Sequence, residues 1–263
     1  MYLQRMATDS FFKHPIQIEG KVYMASDFHF GAPDEVSSKS REEAVARWMD
    51  QISQDADHLF LLGDVFDFWF EYKDVIPKGN LLFLSKLLEL KRKGIQIHFF
   101  TGNHDMWVND FFSKDLDIPV YRQQQGFIIN GKRCLLGHGD GLNPADRGYL
   151  FIKKLFANPV CIALYGALPP RWAFHIARKC SQRSRQSHSN QKPIQDKESS
   201  TIAYIRHVCA KEPIDFFFFG HHHSPLQMNI SDNTQYINIG DWLFHSSYLA
   251  WEAGSEPQLL EFQ

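Results

Sequence analysis

Seven residues of this chain carry oxygen or nitrogen donors in contexts suited to gripping hard cations: Asp27, His29, Asp64, Asn103, His138, His221 and His223. They sit in five short polar clusters: Asp27-Phe28-His29, Gly63-Asp64-Val65-Phe66-Asp67, Gly102-Asn103-His104-Asp105, Gly137-His138-Gly139-Asp140 and Gly220-His221-His222-His223. Carboxylates, an amide oxygen and imidazoles form a ligand set that Mn²⁺, Zn²⁺, Fe and Co²⁺ all accept. Two such ions roughly 3.5–4 Å apart would neutralise the oxygens of a phosphate ester and acidify a water between them, the two needs of ester hydrolysis at neutral pH. Asp27 and His29, two apart on an extended segment, would present their side chains to one ion. Asp64, at the next strand end, is the natural bridge. Two carboxylates facing two divalent ions leave a charge of about +2, which suits an anionic ester. His222, between two ligands on an extended segment, is expected to point away. An isolated His at a strand end is usually a hydrogen-bonded structural residue; five clusters in one chain make that reading hard to sustain. Asp67, Asp140 and Asp241 read either as carboxylates supporting the site or as turn and cap residues, and His14, His58, His98, His175, His188, His207 and His245 as structural or solvent-facing.

Such residues need elements to hold them. Six short apolar runs each stop at a polar cluster: Val22 to Ser26, Leu59 to Leu62, Ile95 to Phe100, Cys134 to Leu136, Phe216 to Phe219 and Tyr236 to Ile239. Runs of this length bounded by turn residues predict buried strands. Helical patterns lie between some of them, at Arg41 to Ile52 and at Leu81 to Lys93, the second stopped by Gly94. Strands alternating with helices predict a layered α/β fold with its polar ligands at strand ends.

One stretch breaks this rhythm. The first four motifs recur every 35 to 39 residues, then 83 residues separate His138 from His221. The surplus, 142–200, reads as an insertion within a single 1–263 domain. From Arg147 to Lys192 it carries nine Lys/Arg and no Asp or Glu, interleaved with Tyr149 to Ile152, Val160 to Tyr165, Trp172, Phe174 and Ile176. Pro169-Pro170 divides two helical patterns, because proline lacks the amide hydrogen and clashes with the preceding turn. The insertion is either a solvated basic helical hairpin or a cap that meets an anionic, partly apolar ligand or a membrane surface. Its acid-free length favours the cap.

In order along the chain, the clusters resemble the calcineurin-like metallophosphoesterase pattern D-x-H, G-D-x-x-D, G-N-H-D, G-H and G-H-x-H. The resemblance implies an α/β fold, a metal-binding β-sandwich flanked by helices, here with a helical cap insertion. It implies one ion held by Asp27, His29, Asp64 and His223 and a second by Asp64, Asn103, His138 and His221. It also implies that His104, beside Asn103, protonates the leaving oxygen or holds the phosphate, with Asp105 orienting its ring. Finer text is similar to the UDP-2,3-diacylglucosamine hydrolases: Gly63 to Trp69, His138-Gly139-Asp140 with Asp146-Arg147-Gly148-Tyr149, Gly220 to Pro225 and Asn238 to Trp242. That resemblance covers most of the chain, basic insertion included. It implies attack on the pyrophosphate of UDP-2,3-diacylglucosamine, with Mn²⁺ as the metal and UMP and 2,3-diacylglucosamine 1-phosphate as products. By position, Asp146, Tyr149, Ser184, Arg185 and Lys192 are the candidates for lipid and sugar-phosphate contacts. The chain departs from many of these hydrolases in carrying His104 where they carry Arg; an imidazole can deliver a proton, a guanidinium only stabilises charge.

Composition bounds the alternatives. With 263 residues, 44% hydrophobic and 22% charged, the chain reads as an ordinary globular protein, and its formal net charge of -2 argues against a nucleic-acid-coating role. No signal-peptide or membrane-spanning run is evident, and the four scattered cysteines suit a reduced, cytoplasmic protein with at most peripheral contact with the inner membrane. Competing readings are a phosphodiesterase or pyrophosphatase of nucleoside polyphosphates or cyclic nucleotides, and a non-catalytic protein-binding scaffold. A scaffold is expected to have lost ligands; none is lost here.

Overall fold

The computed structural model describes the backbone of residues 10–189 and 194–263, and the side chains of the same stretches apart from Arg178, 182–189 and 194–198. These residues build two six-stranded sheets. The first contains β1 (Ile16–Ile18), β6 (Gln125–Ile129), β7 (Lys132–Leu136), β8 (Phe216–Phe219), β10 (Thr234–Asn238) and β9 (Leu226–Ser231), in that spatial order. The second runs β12 (Gln258–Glu261), β11 (Ser247–Trp251), β2 (Val22–Ala25), β3 (His58–Leu62), β4 (Gln96–Phe100) and β5 (Val120–Tyr121). All six strand expectations hold, with ends shifted by a residue or two. The outer strands, with their alternating or half-exposed patterns, gave a weaker signal.

The sheets face each other. Val22 and Met24 of β2, Phe60 and Leu62 of β3, Phe216 and Phe218 of β8 and Leu249 and Trp251 of β11 fill the space between them. Alternate residues turn outward under helices: Tyr23, Leu59 and Leu61 meet Val45, Trp48 and Met49 of α1 (Glu35–Ile52) and Phe83 and Leu87 of α2 (Leu81–Arg92). On the opposite side, Phe217 and Phe219 lie under Ile205 and Val208 of α6 (Ile194–Cys209). A strand covered on both faces needs an apolar residue at every position, which is why β8 reads Phe-Phe-Phe-Phe. Each such fully buried side chain contributes roughly 1.5–3 kcal/mol of transfer free energy.

Strand direction positions the site. β2, β3, β4 and β5 are parallel, as are β7, β8 and β10, so the polar clusters that follow them emerge at common sheet edges. The insertion supplies α3 (Arg147–Phe156), α4 (Pro159–Gly166) and α5 (Pro170–Ser189), with Pro170 opening α5 where the Pro-Pro pair divides two helices. Its expected end at 200 falls inside α6, whose C-terminal half belongs to the sheet-covering layer. The cap rests on the body through aromatic rings: Trp107 lies 4.7 Å from Tyr165 and 5.5 Å from Phe156, and Phe68 lies 5.3 Å from Phe174. Among the described residues no helix is long and apolar enough to cross a membrane.

Candidate metal centre

The backbone around the seven donors is unlike what an extended reading predicts. Asp27 (φ 55°), His29 (φ 45°), Asp64 (φ 50°), His221 (φ 71°) and His223 (φ 53°) all occupy the left-handed region, which non-glycine residues rarely adopt and which concentrates at functional sites. The Asp27–His29 pair therefore converges through a tight, strained turn after β2, not through strand alternation. The same correction applies to His222. It does point away, its Nε2 lying 3.0 Å from Thr201 Oγ1, but on a contorted loop and not an extended one.

Hydrogen bonds lock these turns. Buried Arg41 of α1 reaches across with Nε donating to the Phe28 carbonyl at 2.6 Å and Nη2 to the His29 carbonyl at 2.8 Å, and also contacts the Ala32 carbonyl. The Asp27 Oδ2 accepts the His221 amide at 3.0 Å, bringing the first and last motifs together. Two glycines permit the closeness. A Cβ on Gly102 would collide with the Asp64 carboxylate and amide, and one on Gly220 with Asp27 and Ser26.

Around this frame the donors form overlapping groups: Asp27, His29 and His223; His29, Asp64 and His104; and Asp64, His138 and His221. His29 Nε2 stands 3.2 Å from His223 Nε2, 3.6 Å from Asp27 Oδ1 and 3.6 Å from Asp64 Oδ2. On the other side of the same Asp64 Oδ2, His138 Nε2 stands at 3.2 Å, and it is 3.3 Å from Asn103 Oδ1. Asp64 Oδ1 is meanwhile held by the His104 amide at 2.8 Å. The seven expected residues thus come together, with Asp64 in the middle.

The outer partners are equally ordered. His138 Nδ1 donates to the Leu62 carbonyl at 2.9 Å, which leaves Nε2 with a lone pair for the centre. His223 Nδ1 lies 3.3 Å from Asp241 Oδ2, and His29 Nδ1 3.6 Å from Asp67 Oδ1. Asp241 also accepts the amides of Phe244 at 2.9 Å and His245 at 3.1 Å, so it is both a supporting carboxylate and a cap.

Electrostatics describe a centre built for positive charge. Burial opposes ionisation of Asp64, yet the imidazoles of His138 and His104 hold its carboxyl well below the usual range. Burial likewise opposes the charge on Asp27, and His223 overrides it. In return, although burial opposes the imidazolium, Asp64 lifts His138 to about 10, and Asp27 with Asp241 lifts His223 to about 10. His221, by burial and the neighbouring charge of His138, drops to about 3 and stays a neutral lone-pair donor. Asp27 Oδ1 is fully buried and accepts no hydrogen bond. An orphaned carboxylate oxygen, a second facing two imidazole nitrogens, and an amide oxygen fit the hard-donor preferences of two divalent cations.

One expectation about catalytic geometry is corrected. Asp105 does not orient the His104 ring: it is wholly buried, and its carboxylate accepts the amides of Gly102 at 2.6 Å and Val65 at 2.8 Å, stitching two motif loops together. The His104 ring is held instead by the Asp67 carbonyl, 2.9 Å from Nδ1. A backbone carbonyl 37 residues away leaves no mark in local sequence.

Arg41, Ser181 and Thr201 were not singled out in the sequence, and only the fold reveals them. Ser181 of α5 donates to Asp67 Oδ2 at 2.8 Å and sits 3.5 Å from His104 Nδ1, bringing the cap to the centre. Of the expected substrate contacts, Asp146 caps α3, accepting the Tyr149 amide at 3.0 Å, and the Tyr149 hydroxyl donates to Asp140 at 2.6 Å. Ser184 and Arg185 lie on the backbone of α5 with side chains outside the described ones, and Lys192 lies outside the described residues.

The chain is 33% identical to the UDP-2,3-diacylglucosamine hydrolase of Porphyromonas gingivalis, over 89% of this chain and 95% of that protein. It is 27% identical to the enzyme of that name from Serratia proteamaculans (82% and 90% covered) and 25% identical to that from Vibrio atlanticus (92% and 96% covered). Residues 20–225 match the calcineurin-like phosphoesterase family as a whole, and this protein belongs to that family.

Proposed function

We propose that the protein is a dinuclear-metal hydrolase that cleaves the pyrophosphate of UDP-2,3-diacylglucosamine to UMP and 2,3-diacylglucosamine 1-phosphate. The chemistry rests on one observation, the placing of Asp64 Oδ2 between His29 and His138 at 3.6 and 3.2 Å. In this reading Asp27, His29, Asp64 and His223 hold one ion, and Asp64, Asn103, His138 and His221 the other, with Mn²⁺ as the native metal. The ions, when bound, supply Lewis acidity toward the phosphoryl oxygens and lower the pKa of water. His104 faces the same centre and serves the leaving oxygen or the phosphate; Asp105 keeps the Asn103 loop against the Asp64 loop.

The substrate follows from the relatives' names and from a cavity of about 1000 Å³ between the 75–78 loop and the start of α5. Val75, Ile76, Trp172, Phe174 and Ile176 make it apolar, while Lys78 and Arg171 stand at its walls. Acyl tails suit such a chamber and a free nucleotide does not, which favours the lipid over a nucleotide phosphodiesterase. Its inner wall touches Phe68, the residue after Asp67. The protein would act at the cytoplasmic face of the inner membrane, with α3, α4 and α5 as its peripheral contact.

Incubation with UDP-2,3-diacylglucosamine, an ATP analogue and a cyclic nucleotide in Mn²⁺ tests the reading: the lipid should be cleaved preferentially to UMP. Asn103→Ala and His138→Ala should lower turnover by roughly 10³-fold and reduce bound metal, with the fold retained. Wild-type turnover in both would remove them from the site, and cleavage of only the soluble nucleotides would overturn the lipid assignment.

A further inference from the structure

A second cavity, of about 140 Å³, opens against His138. Its walls mix the apolar side chains of Phe100, Leu142 and Leu150 with polar ones from four elements. Thr101 follows β4, Arg122, Gln123 and Gln124 link β5 to β6, Lys154 belongs to α3 and Tyr204 to α6. The one carboxylate in the wall, Asp140, is engaged by the Tyr149 hydroxyl and by Lys153, so the cavity keeps a cationic surplus from Arg122 and Lys154. Arg122 is pre-positioned, its guanidinium donating to the carbonyls of Val108 at 2.6 Å and Asn109 at 2.9 Å. The Tyr204 hydroxyl holds the Gln124 side-chain oxygen. That bond fixes the amide's orientation and leaves its NH₂ as the remaining donor.

We propose that this cavity holds the nucleoside half of the substrate, with Gln123 and Gln124 reading the edge of the base and Arg122 and Lys154 facing the ribose-phosphate. The inference rests on the hydrolase reading above and adds the location of one substrate end. A pyrophosphate diester has two unlike substituents, and the structure has two unlike cavities, one against His138 and one whose Phe174 ring meets Phe68, next to Asp67. The larger is apolar and the smaller carries amides, a hydroxyl and cations. A space well below the roughly 300–1,000 Å³ of drug-sized ligand sites takes one ring and not a pair of acyl chains. The pyrimidine edge of uracil offers carbonyl acceptors around an N–H donor, and primary amides, which carry both donor and acceptor, complement it.

Calorimetric titration of the Mn²⁺-loaded protein with UMP, ribose 5-phosphate and inorganic phosphate tests this. UMP should bind about tenfold or more tightly than ribose 5-phosphate, the discrimination expected of amide contacts to a base edge. Gln124→Ala should bring the ratio of the two affinities close to one. Gln123→Ala, at an exposed position where folding is not at stake, should lower it severalfold. Equal affinity for UMP and ribose 5-phosphate in the wild type, or a ratio unmoved by both substitutions, overturns the proposal. Cleavage of the diacyl sugar nucleotide without a UMP preference would sink this subsite alone. A UMP preference in a protein that does not cleave the lipid would sink the lipid assignment and leave the subsite standing.

Discussion

Asp64 divides its work between its two carboxylate oxygens. Oδ1 is tied to the His104 amide, so Oδ2 is held between the two halves of the centre and cannot rotate away. The same economy appears at His104. The Asp67 carbonyl makes Nδ1 the protonated nitrogen, so the neutral ring has only a lone pair at Nε2 and can donate from there only as an imidazolium. Burial lowers the pKa of this ring below its ordinary 6.5. If His104 protonates the leaving group, turnover of esters with poor leaving groups should fall as pH rises through that lowered pKa. His104→Ala should then cost roughly 10²–10⁴-fold with a poor leaving group and far less with nitrophenolate. A pH-rate and leaving-group series in wild type and variant checks this; a uniform loss with no change in the pH profile would assign the ring to holding the phosphate.

Single elements couple the centre to the rest of the molecule. Trp107, a few residues after Asn103, joins the body to α3 and α4 through its rings and through Nε1 donating to the Phe156 carbonyl at 2.8 Å. Trp107→Ala should loosen the cap: limited proteolysis within 142–189 should quicken, and KM for the diacyl substrate should rise about tenfold while that for a small chromogenic diester moves little. Unchanged proteolysis and KM would show that the cap does not depend on this contact. In β4, His98 lies inside the sandwich, stacked 4.3 Å from Phe60 with Nδ1 3.2 Å from the Tyr121 hydroxyl and Nε2 lacking a partner. Burial, and after it the charge of His58, depress its pKa to about 4. A depressed folded pKa means that unfolding takes up a proton, so this stability is present above about pH 6.5 and is lost as pH falls toward 4, by about 3 kcal/mol in all. His98→Phe should flatten the decline in melting temperature between pH 7 and 4.5; an unaltered slope would place the acid sensitivity elsewhere.

At the scale of the whole molecule, the cap presents an apolar surface that stays exposed among the described residues. Phe151, Leu164 and Trp172 are each about two-thirds exposed, at 67%, 67% and 68%, beside Lys154 and Arg171. Such a surface suits an anionic bilayer, where each basic residue near the surface adds about 1 kcal/mol at low salt. Co-sedimentation should show binding to phosphatidylglycerol vesicles and little to phosphatidylcholine, weakened by salt and reduced about tenfold by Phe151→Glu with Leu164→Glu. Equal sedimentation of wild type and double variant would remove the membrane from the account.

How much of this could be read from residue order alone follows from the range of the forces involved. The central strands were legible because a strand buried on both faces must be apolar throughout, and the seven donors because each stands where such a run ends. The basic, acid-free interruption of the motif spacing falls on α3, α4 and α5, while α6 runs on from position 194 to the residues that cover the sheet. Tertiary structure alone decided the left-handed turns at Asp27, His29, Asp64, His221 and His223, the grip of Arg41 on the first motif, the exchange of roles between Asp67 and Asp105, and the descent of Ser181 from the cap. Each of these depends on a hydrogen bond or a close approach between residues distant along the chain. Hydrophobic periodicity is a local property and survives in the sequence; a carbonyl brought beside an imidazole by folding is not, and does not.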